Sequence, residues 1–231
     1  VEWDPDAEAK IAAAALYSAG DEPDASLLAY TRQLPEGDLS QLFKGVVGDR
    51  TNRRHRPGRG FERAFYRFDL LTDFGIFRDL QRHRMLTIDW QKLGTKHGHV
   101  TPEALADAGL ESEWSDGIAS ATDLAQELTT VCGTDVAQYA VPFAYRIRYS
   151  MHMNAREAMH FLELRTVEGG HTDYRRVAQT MHNQIRDVAG HTLVADAMKY
   201  VDHNQYELER LSSERRAEQR RLDAGLVEPL G

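Results

Sequence analysis

The chain of 231 residues has a single cysteine, Cys132, and no long apolar run. One cysteine excludes an internal disulfide framework and any zinc site built from several cysteines. No segment approaches the roughly 20 apolar residues of a membrane helix, and no signal-peptide pattern opens the chain. These absences favour a cytoplasmic protein without a membrane partner. Because no cation neighbours Cys132 in sequence, we expect a buried and inert thiol.

Positive charge is also scarce. The chain has 28 Lys and Arg residues and 36 Asp and Glu residues, which gives a net charge of −8. This balance argues against a general nucleic-acid binder. No GxGxxG or Walker sequence is present, so neither a Rossmann nor a P-loop site is supported. The strongest cationic patch comprises Arg53, Arg54, Arg56 and Arg59. These lie in an aperiodic stretch, 48–60, that is typical of a loop; residues 53–59 are called the basic loop below.

Hydrophobic periodicity indicates an α+β fold. Alternating apolar residues predict strands at 64–71, 86–93 and 146–153. Helical spacing predicts helices at 5–18, 26–34, 38–47, 73–84, 103–110 and 116–131. The chain after Asn154 is predicted to be mostly helical, with breaks near Gly169-Gly170 and Gly190. This irregular order does not match a βαβ repeat and favours a small sheet packed by helices.

We expect residues 1–231 to form one domain. It divides into a helical N-terminal part (1–56), a motif-bearing core (57–190) and a charged C-terminal helix (191–225). The alternating charges of that last helix are typical of a solvated face or a subunit contact.

Arg82-His83-Arg84 lies where the predicted helix 73–84, with Thr72 as its N-cap, meets the next strand. One interpretation is capping, because each cation in a last turn stabilises the helix dipole by about 0.3–1 kcal/mol. However, Arg84 follows Leu80 by four residues, which on a continuing helix places it along the apolar face. A guanidinium there requires an anionic or hydrogen-bonding partner. The alternative is therefore that the cluster binds an anion.

A second helix–strand junction has the same character. Asn154 stands at the N-cap position of a predicted helix, and Arg156 falls in its first turn, where a cation opposes the dipole. Arg165 shares a face with Ala158 and Leu162, so it is again a cation on an apolar stripe. No protein partner is evident for these arginines from the local sequence. Because the arginine fork suits phosphate and carboxylate, a phosphorylated or dinucleotide ligand is the economical inference.

A metal site has little support. His97-Gly98-His99 offers two histidines, but no carboxylate cluster lies nearby to complete a coordination shell. We expect these histidines to be exposed to solvent and the protein to bind no metal.

These motifs resemble those of the flavin-dependent thymidylate synthases. That family carries Arg-His-Arg between a helix and a strand, and a downstream Asn-x-Arg that begins a helix ending in Leu-Arg. RHR at 82–84 and NAREAMHFLELR at 154–165 match this pattern, and DVAQYAVPF at 135–143 resembles the segment before the last strand. The likeness covers roughly residues 57–190. It implies a small twisted antiparallel or mixed sheet flanked by helices, in agreement with the periodicity.

The resemblance also implies an activity. Family members are usually homotetramers that bind FAD between subunits and convert dUMP to dTMP, with methylenetetrahydrofolate as carbon donor and NADPH as reductant. By resemblance, Arg165 faces the pyrimidine of dUMP. No side chain need be a covalent nucleophile, and we assign no catalytic residue. The resemblance assigns flavin contacts to Arg82, His83, Arg84, Asn154, Arg156 and His171.

The sequence departs from the family where the family holds dUMP. The family serine falls on Lys92, the following arginine on Gly94 and the strand glutamate on Trp90. Asp79 replaces a glutamine, Gln138 replaces an arginine, and Arg63 stands where a histidine is expected. Glycine cannot replace a bidentate arginine–phosphate contact. We therefore expect the ordinary dUMP site to be absent or rebuilt, with Lys92 and the basic loop as candidates for a different anion site.

Three functions stay open. The chain is an active flavin-dependent synthase, a non-catalytic domain that completes an oligomer or supports a catalytic partner, or a flavin enzyme acting on another nucleotide. The start at Val1 rather than Met is compatible with one half of a tandem protein. A structural half would retain the fold and lose the dUMP contacts.

Overall fold

The computed structural model describes residues 1–206 and 210–223. The four strands are β1 (Glu2–Trp3), β2 (Phe65–Asp73), β3 (Thr87–Trp90) and β4 (Arg146–Asn154). The helices are α1 (Ala7–Tyr17), α2 (Asp24–Thr31), α3 (Glu36–Val47), α4 (Phe74–Leu80), α5 (Ala104–Ala108), α6 (Glu111–Cys132), α7 (Thr134–Ala137), α8 (Ala155–Arg165), α9 (Thr172–Asn183), α10 (Thr192–Ala197) and α11 (Arg210–Asp223). Short 3-10 turns occupy Arg59–Arg63 and Gln138–Ala140, and a π turn occupies Gln184–Val188.

The strands form one sheet in the order β1-β2-β4-β3. β1 pairs antiparallel with β2, with Trp3 opposite Tyr66, and β3 pairs antiparallel with β4, with Ile88 opposite Met151. The fold is α+β, a small antiparallel sheet flanked by helices, which confirms the predicted class. Among the described residues, no helix combines the length and apolar character needed to traverse a bilayer.

The chain packs as two compact units. Unit 1 comprises residues 1–67 and the described residues from 153 onward, and unit 2 comprises residues 68–152. The prediction of one domain over 1–231, with a helical part at 1–56 and a motif-bearing core at 57–190, stays a prediction.

The core of unit 1 is built on α1 and α8. Ile11 of α1 is fully buried, and α1 packs against both α2 and α3. Phe43 and Phe61 meet edge to face with their ring centroids 5.8 Å apart. α8 buries Phe161 and Leu162 and packs against α9. Because apolar burial contributes about 25 cal/mol per Å², this interior fixes where α8 begins and which face it exposes.

Unit 2 has an aromatic interior on one side and a smaller cluster on the other. Phe77 of α4 lies 4.9 Å from Tyr149 of β4, measured between ring centroids. Tyr145 is buried in the second cluster with Ile118 and Ala125 of α6. The alternation predicted for 146–153 is confirmed, since Ile147, Tyr149, Met151 and Met153 are all buried.

Several predicted boundaries were wrong. Thr72 is not the N-cap of α4; Asp73 is, because its carboxylate accepts a hydrogen bond of 2.9 Å from the N–H of Ile76. The Thr72 hydroxyl lies 3.2 Å from the hydroxyl of Tyr149 instead. The predicted loop 48–60 contains the start of a 3-10 turn at Arg59, α6 begins at Glu111, and β1 had no detectable signal in its two residues.

The C-terminal part is not one helix over 191–225. α10 ends at Ala197, residues 199–206 carry no helix, and α11 begins at Arg210. We call residues 199–206 the strap. Side chains of α9 hold its backbone: Arg175 donates to the carbonyl of Asn204 at 3.0 Å, and Gln179 donates to that of Asp202 at 2.8 Å. Residues 224–225 of the predicted helix lie outside the described residues.

Candidate functional site

Arg82, His83 and Arg84 follow α4 in unit 2 and lie outside any helix. Arg82 and Arg84 are exposed, whereas His83 is buried. The prediction that Arg84 lies along the apolar face of the helix was wrong. Neither guanidinium forms an ion pair or hydrogen bond within the described part of the chain. The two arginines therefore present free donors to solvent or to a ligand.

The early end of α4 has a physical cause. A continuing helix would carry Arg84 onto the face that buries Phe77 and Leu80. Burying an unpaired guanidinium costs several kcal/mol, about as much as the hydrogen bonds of one further helical turn contribute. Gln81 instead closes the helix by donating its N–H to the carbonyl of Phe77. The chain leaves the helix before the cationic triplet.

Asn154 and Arg156 occupy the start of α8 in unit 1. The predicted N-cap is confirmed, because the Asn154 Oδ1 accepts a hydrogen bond of 2.8 Å from the N–H of Glu157. The Asn154 Nδ2 has no partner in the residues that the structure describes. Capping thus consumes the oxygen of this carboxamide and leaves its two N–H donors available.

Arg156 has a protein partner that the local sequence did not reveal. Its Nη1 lies 3.0 Å from Glu62 Oε1, and its Nε donates to the carbonyl of Pro57 at 3.3 Å. Arg59 donates to the same carboxylate, at 2.9 Å from Nη2 to Oε2. The Arg59 guanidinium, and less strongly that of Arg156, hold the pKa of Glu62 below its ordinary value. Two cations on one anion leave this group with an excess positive charge.

Arg165 and His171 lie at the two ends of the α8–α9 connection, also in unit 1. The half-buried Arg165 guanidinium stands 5.4 Å from the centroid of the Tyr174 ring, a cation–π distance. His171 is exposed and caps α9, since its Nδ1 accepts from the N–H of Asp173 at 3.3 Å. Both side chains therefore make a structural contact within the chain.

Two of the positions that depart from the family pattern lie beside each other in unit 2. Lys92 Nζ is 2.5 Å from Asp135 Oδ1, and both side chains are well exposed. Next to it, the N–H of Leu93 donates to Gln138 Oε1 at 2.9 Å. We call this set, Lys92 to Leu93 with Asp135 and Gln138, the β3–α7 clasp. Asp135 balances the charge of Lys92, so this position offers no unpaired cation.

The other departures have separate environments. Trp90 is 57% exposed, and the centroid of its ring lies 5.7 Å from that of the Phe77 ring. Gly94 has open space where a Cβ would stand. Arg63 pairs with Asp24 of α2 within unit 1. A larger residue would therefore fit at position 94, while Arg63 is occupied as a structural ion pair.

Two minor expectations were wrong. Cys132 is exposed at the last residue of α6, not buried. His97 and His99 are partly buried, and the atoms His97 Nε2 and His99 Nδ1 are shielded from solvent without a hydrogen-bond partner in the described chain.

The largest feature that the sequence did not predict is a buried ion pair in unit 1. Arg50 and Glu163 are each 2% exposed in their side chains. Arg50 follows Asp49 and Glu163 lies two residues before Arg165, so local charge does not identify the pair, and 113 residues separate the two partners. No local pattern marks such a pair; a buried position for Glu163 on the apolar face of α8 was the only available signal.

These features define an α+β domain with one cationic motif after α4 in unit 2 and another at the start of α8 in unit 1. The family model of the thymidylate synthase complementing protein, Thy1, matches residues 1–190. The chain belongs to this family.

Two curated relatives match most of the chain. A UPF0159 protein of Chlamydia muridarum is 38% identical over 213 residues, which is 92% of this chain and 40% of the relative. A UPF0159 protein of Thermoplasma acidophilum is 35% identical over 194 residues, or 84% of this chain and 38% of the relative. The chain thus spans about 40% of the length of the curated relatives it matches.

The UMP/dUMP methylase PolB from Streptomyces cacaoi, solved with bound 5-Br dUMP, has a similar fold. Its TM-score is 0.66, with 16% identity over 86% of this chain and 92% of that chain. At this identity the likeness concerns the fold alone.

Proposed function

We propose that this chain is a flavin-binding, thymidylate synthase-like domain of a longer cytoplasmic protein. The reaction would be reductive methylation of a pyrimidine nucleotide, with FAD, NADPH and methylenetetrahydrofolate. One observation carries the proposal: the family match over residues 1–190 includes both Arg82-His83-Arg84 and Asn154-x-Arg156.

The chemistry of the exposed donors fits a dinucleotide cofactor. Arg82 and Arg84 offer guanidiniums with no partner in the described chain, which suits phosphate. Asn154 offers two amide N–H donors that its capping role does not use. Arg156 keeps its Nη2 group free of protein hydrogen bonds among the described residues. When bound, the flavin would supply hydride transfer, and these residues would bind and orient it.

The nucleotide contacts would differ from those of the family. Arg165 is the residue proposed to face a pyrimidine, and its guanidinium already lies over Tyr174. At the β3–α7 clasp, Asp135 neutralises the charge of Lys92, and the side-chain oxygen of Gln138 accepts a hydrogen bond from the N–H of Leu93. A nucleotide phosphate that bound there would have to displace Asp135 from Lys92. We therefore propose weak binding of dUMP by the isolated chain.

The β3–α7 clasp also favours a second candidate function. A domain that no longer binds dUMP would support a catalytic partner, either a second half of the same polypeptide or another subunit of an oligomer. The relatives' greater length supports the tandem arrangement, because about 60% of each lies outside the match. Flavin and dUMP binding separate the two candidates.

The first test is the visible absorption of the purified protein, before and after addition of FAD. We expect about one flavin per chain, as in cofactor sites built for one dinucleotide. The variant R82Q/R84Q should lose this band, while R215Q/R220Q, which removes two exposed charges from α11, should retain it. A protein that ignores FAD, or that loses it equally in both variants, would contradict the flavin-binding function.

The second test is dUMP titration of the flavin-loaded protein by calorimetry. Tight binding would refute the weak nucleotide site and the non-catalytic candidate together. Absent binding with flavin retained would leave the partner-domain function as the better description.

A further inference from the structure

Three cations of the basic loop have no counter-charge among residues 1–206 and 210–223. Arg54 and Arg56 are exposed and Arg53 is partly exposed. Their guanidiniums form no ion pair and no hydrogen bond with the chain that the structure describes. Arg59, by contrast, is paired with Glu62. Three guanidiniums within four residues create a local concentration of positive charge in a chain of net charge −8, and such a concentration attracts anions.

A buried arginine holds the backbone of this loop. Arg50 Nε donates to the carbonyl of His55 at 2.6 Å, and Nη2 donates to that of Arg53 at 3.3 Å. Its Nη1 and Nη2 also bind Glu163, at 2.7 and 2.5 Å. The loop backbone therefore surrounds the guanidinium of Arg50, which Glu163 of α8 holds in place. The carbonyls of residues 53 and 55 are turned inward by these bonds.

Local hydrogen bonds add to this order. Asn52 Oδ1 accepts from the N–H of Arg54 at 2.9 Å. The His55 ring lies 2.9 Å from Asn52 Nδ2 and 3.4 Å from the N–H of Thr51. The three arginines thus project from a backbone that is already ordered. A preorganised site loses less conformational entropy on binding than a flexible loop does.

We propose that the basic loop is a binding site for a multiply phosphorylated small molecule, with Arg53, Arg54 and Arg56 as its phosphate ligands. Guanidinium forks bind phosphate oxygens bidentately, and several phosphates match several forks. The loop contains no aromatic side chain that would stack on exposed bases, since its one ring, His55, is engaged with Asn52. The net charge of −8 also opposes the approach of a long nucleic acid. A small polyphosphate is therefore favoured over RNA or DNA.

This site goes beyond the proposed function, because none of its three phosphate ligands belongs to the Arg-His-Arg or Asn-x-Arg motif. It requires neither flavin binding nor turnover. The pyrophosphate of a dinucleotide and the 2′-phosphate of NADPH offer the same chemistry, and the choice of probe distinguishes them.

The test is calorimetric titration of the whole chain with inorganic tripolyphosphate at low and moderate salt. Variant R53Q/R54Q/R56Q leaves Arg50 and Glu163 intact, so the loop should keep its fold. Variant R215Q/R220Q/R221Q removes the same charge from exposed positions of α11. We expect the loop variant to bind at least about tenfold more weakly, as lost charge-assisted contacts predict, and the control to bind within about twofold of the parent.

Further probes identify the source of the phosphates. Binding of NADPH in preference to NADH that depends on the loop would point to the 2′-phosphate, and equal loop-dependent binding of NADPH and NADH would point to the pyrophosphate. Equal losses in the two variants, or no tripolyphosphate binding by the parent, would overturn the proposal. So would a single-stranded oligonucleotide that binds through the loop more tightly than tripolyphosphate. Failure of the flavin test would leave these outcomes unchanged.

Discussion

Arg50 and Glu163 form a buried, bidentate ion pair in which Nη1 lies 2.7 Å from Oε1 and Nη2 lies 2.5 Å from Oε2. The remaining donors of Arg50 satisfy backbone carbonyls of residues 53, 55 and 197. Tyr200 completes the arrangement, because its hydroxyl donates to the carbonyl of Arg50 at 2.8 Å. One side chain therefore joins the basic loop, α8 and the end of α10.

Breaking this pair should strongly destabilise unit 1. Arg50→Met and Glu163→Leu should each lower the free energy of unfolding by about 3–5 kcal/mol, because each leaves a buried charge without its partner. The double variant should lose less than the sum of the two, since no lone charge remains. Urea unfolding measures all three. Glu2→Gln, which removes an exposed pair with Arg67, is the control and should change stability by less than about 1 kcal/mol. Single losses as small as the control would contradict a structural role.

Substitutions at Asn154 separate its structural and ligand-binding roles. Asn154→Ala should cost about 0.5–2 kcal/mol of stability, because α8 loses its N-cap. Asn154→Asp should retain stability, since a carboxylate oxygen also accepts from the N–H of Glu157 and favours the helix dipole. Both variants remove the amide donors, so both should bind FAD more weakly. Full FAD affinity in Asn154→Asp, measured by flavin absorption, would exclude this residue from the cofactor site.

Restoring family residues at the β3–α7 clasp tests why dUMP binding would be weak. Gly94→Arg should fold normally, because nothing stands within 4 Å of an added Cβ. With Lys92→Ser it should raise the affinity for dUMP. Gln138→Arg should instead lower stability by about 1–3 kcal/mol, because arginine has no acceptor for the N–H of Leu93. Calorimetric titration and urea unfolding measure the two effects. Unchanged dUMP affinity in the double variant would show that positions 92 and 94 do not set it.

Acid should destabilise unit 1 through its buried histidines. Burial lowers the pKa of His182 below the 6.5 that is typical of an exposed histidine, so the unfolded chain takes up a proton before the folded chain does. Stability should therefore fall as the pH falls through about 6.5. Burial lowers the pKa of His191 as well, so His182→Gln should flatten this dependence in part.

The measurement is the urea midpoint between pH 7.5 and pH 6. More acid conditions bring an opposite contribution, since burial raises the pKa of Glu8. The matched control is Gln33→Ala at an exposed position whose side chain does not titrate, which should leave the slope as it was. An equal slope in His182→Gln and the parent would contradict the assignment.

Local signals in the sequence predicted the fold class and the N-cap at the start of α8. Period-two alternation located β2 and β4, because each strand buries one face. The N-cap at Asn154 was predictable since its partner lies three residues away. The resemblance located both cationic motifs, and the family match includes them.

The wrong predictions concerned residues whose partners are distant in sequence, or positions where two neighbouring residues could each cap the helix. Arg156 was predicted to lack a protein partner, yet Glu62 lies 94 residues earlier. The helix through Arg84 was wrong because spacing alone does not include the cost of burying a cation. Thr72 and Asp73 are adjacent and equally suited to capping, and the Tyr149 hydroxyl, contributed by another strand, engages Thr72.

Three side chains of the chain hold the strap through its backbone groups. Arg175 and Gln179 bind carbonyl oxygens of residues 202 and 204, and the Thr166 hydroxyl accepts the N–H of Asp202 at 3.0 Å. Every residue type carries those backbone groups. These backbone contacts should therefore survive substitution of Val201 or Gln205, whereas Tyr200 and His203, whose side chains bond to Arg50 and His182, should resist change. Part of this segment is thus held whatever its side chains are, and part of it depends on a few particular residues.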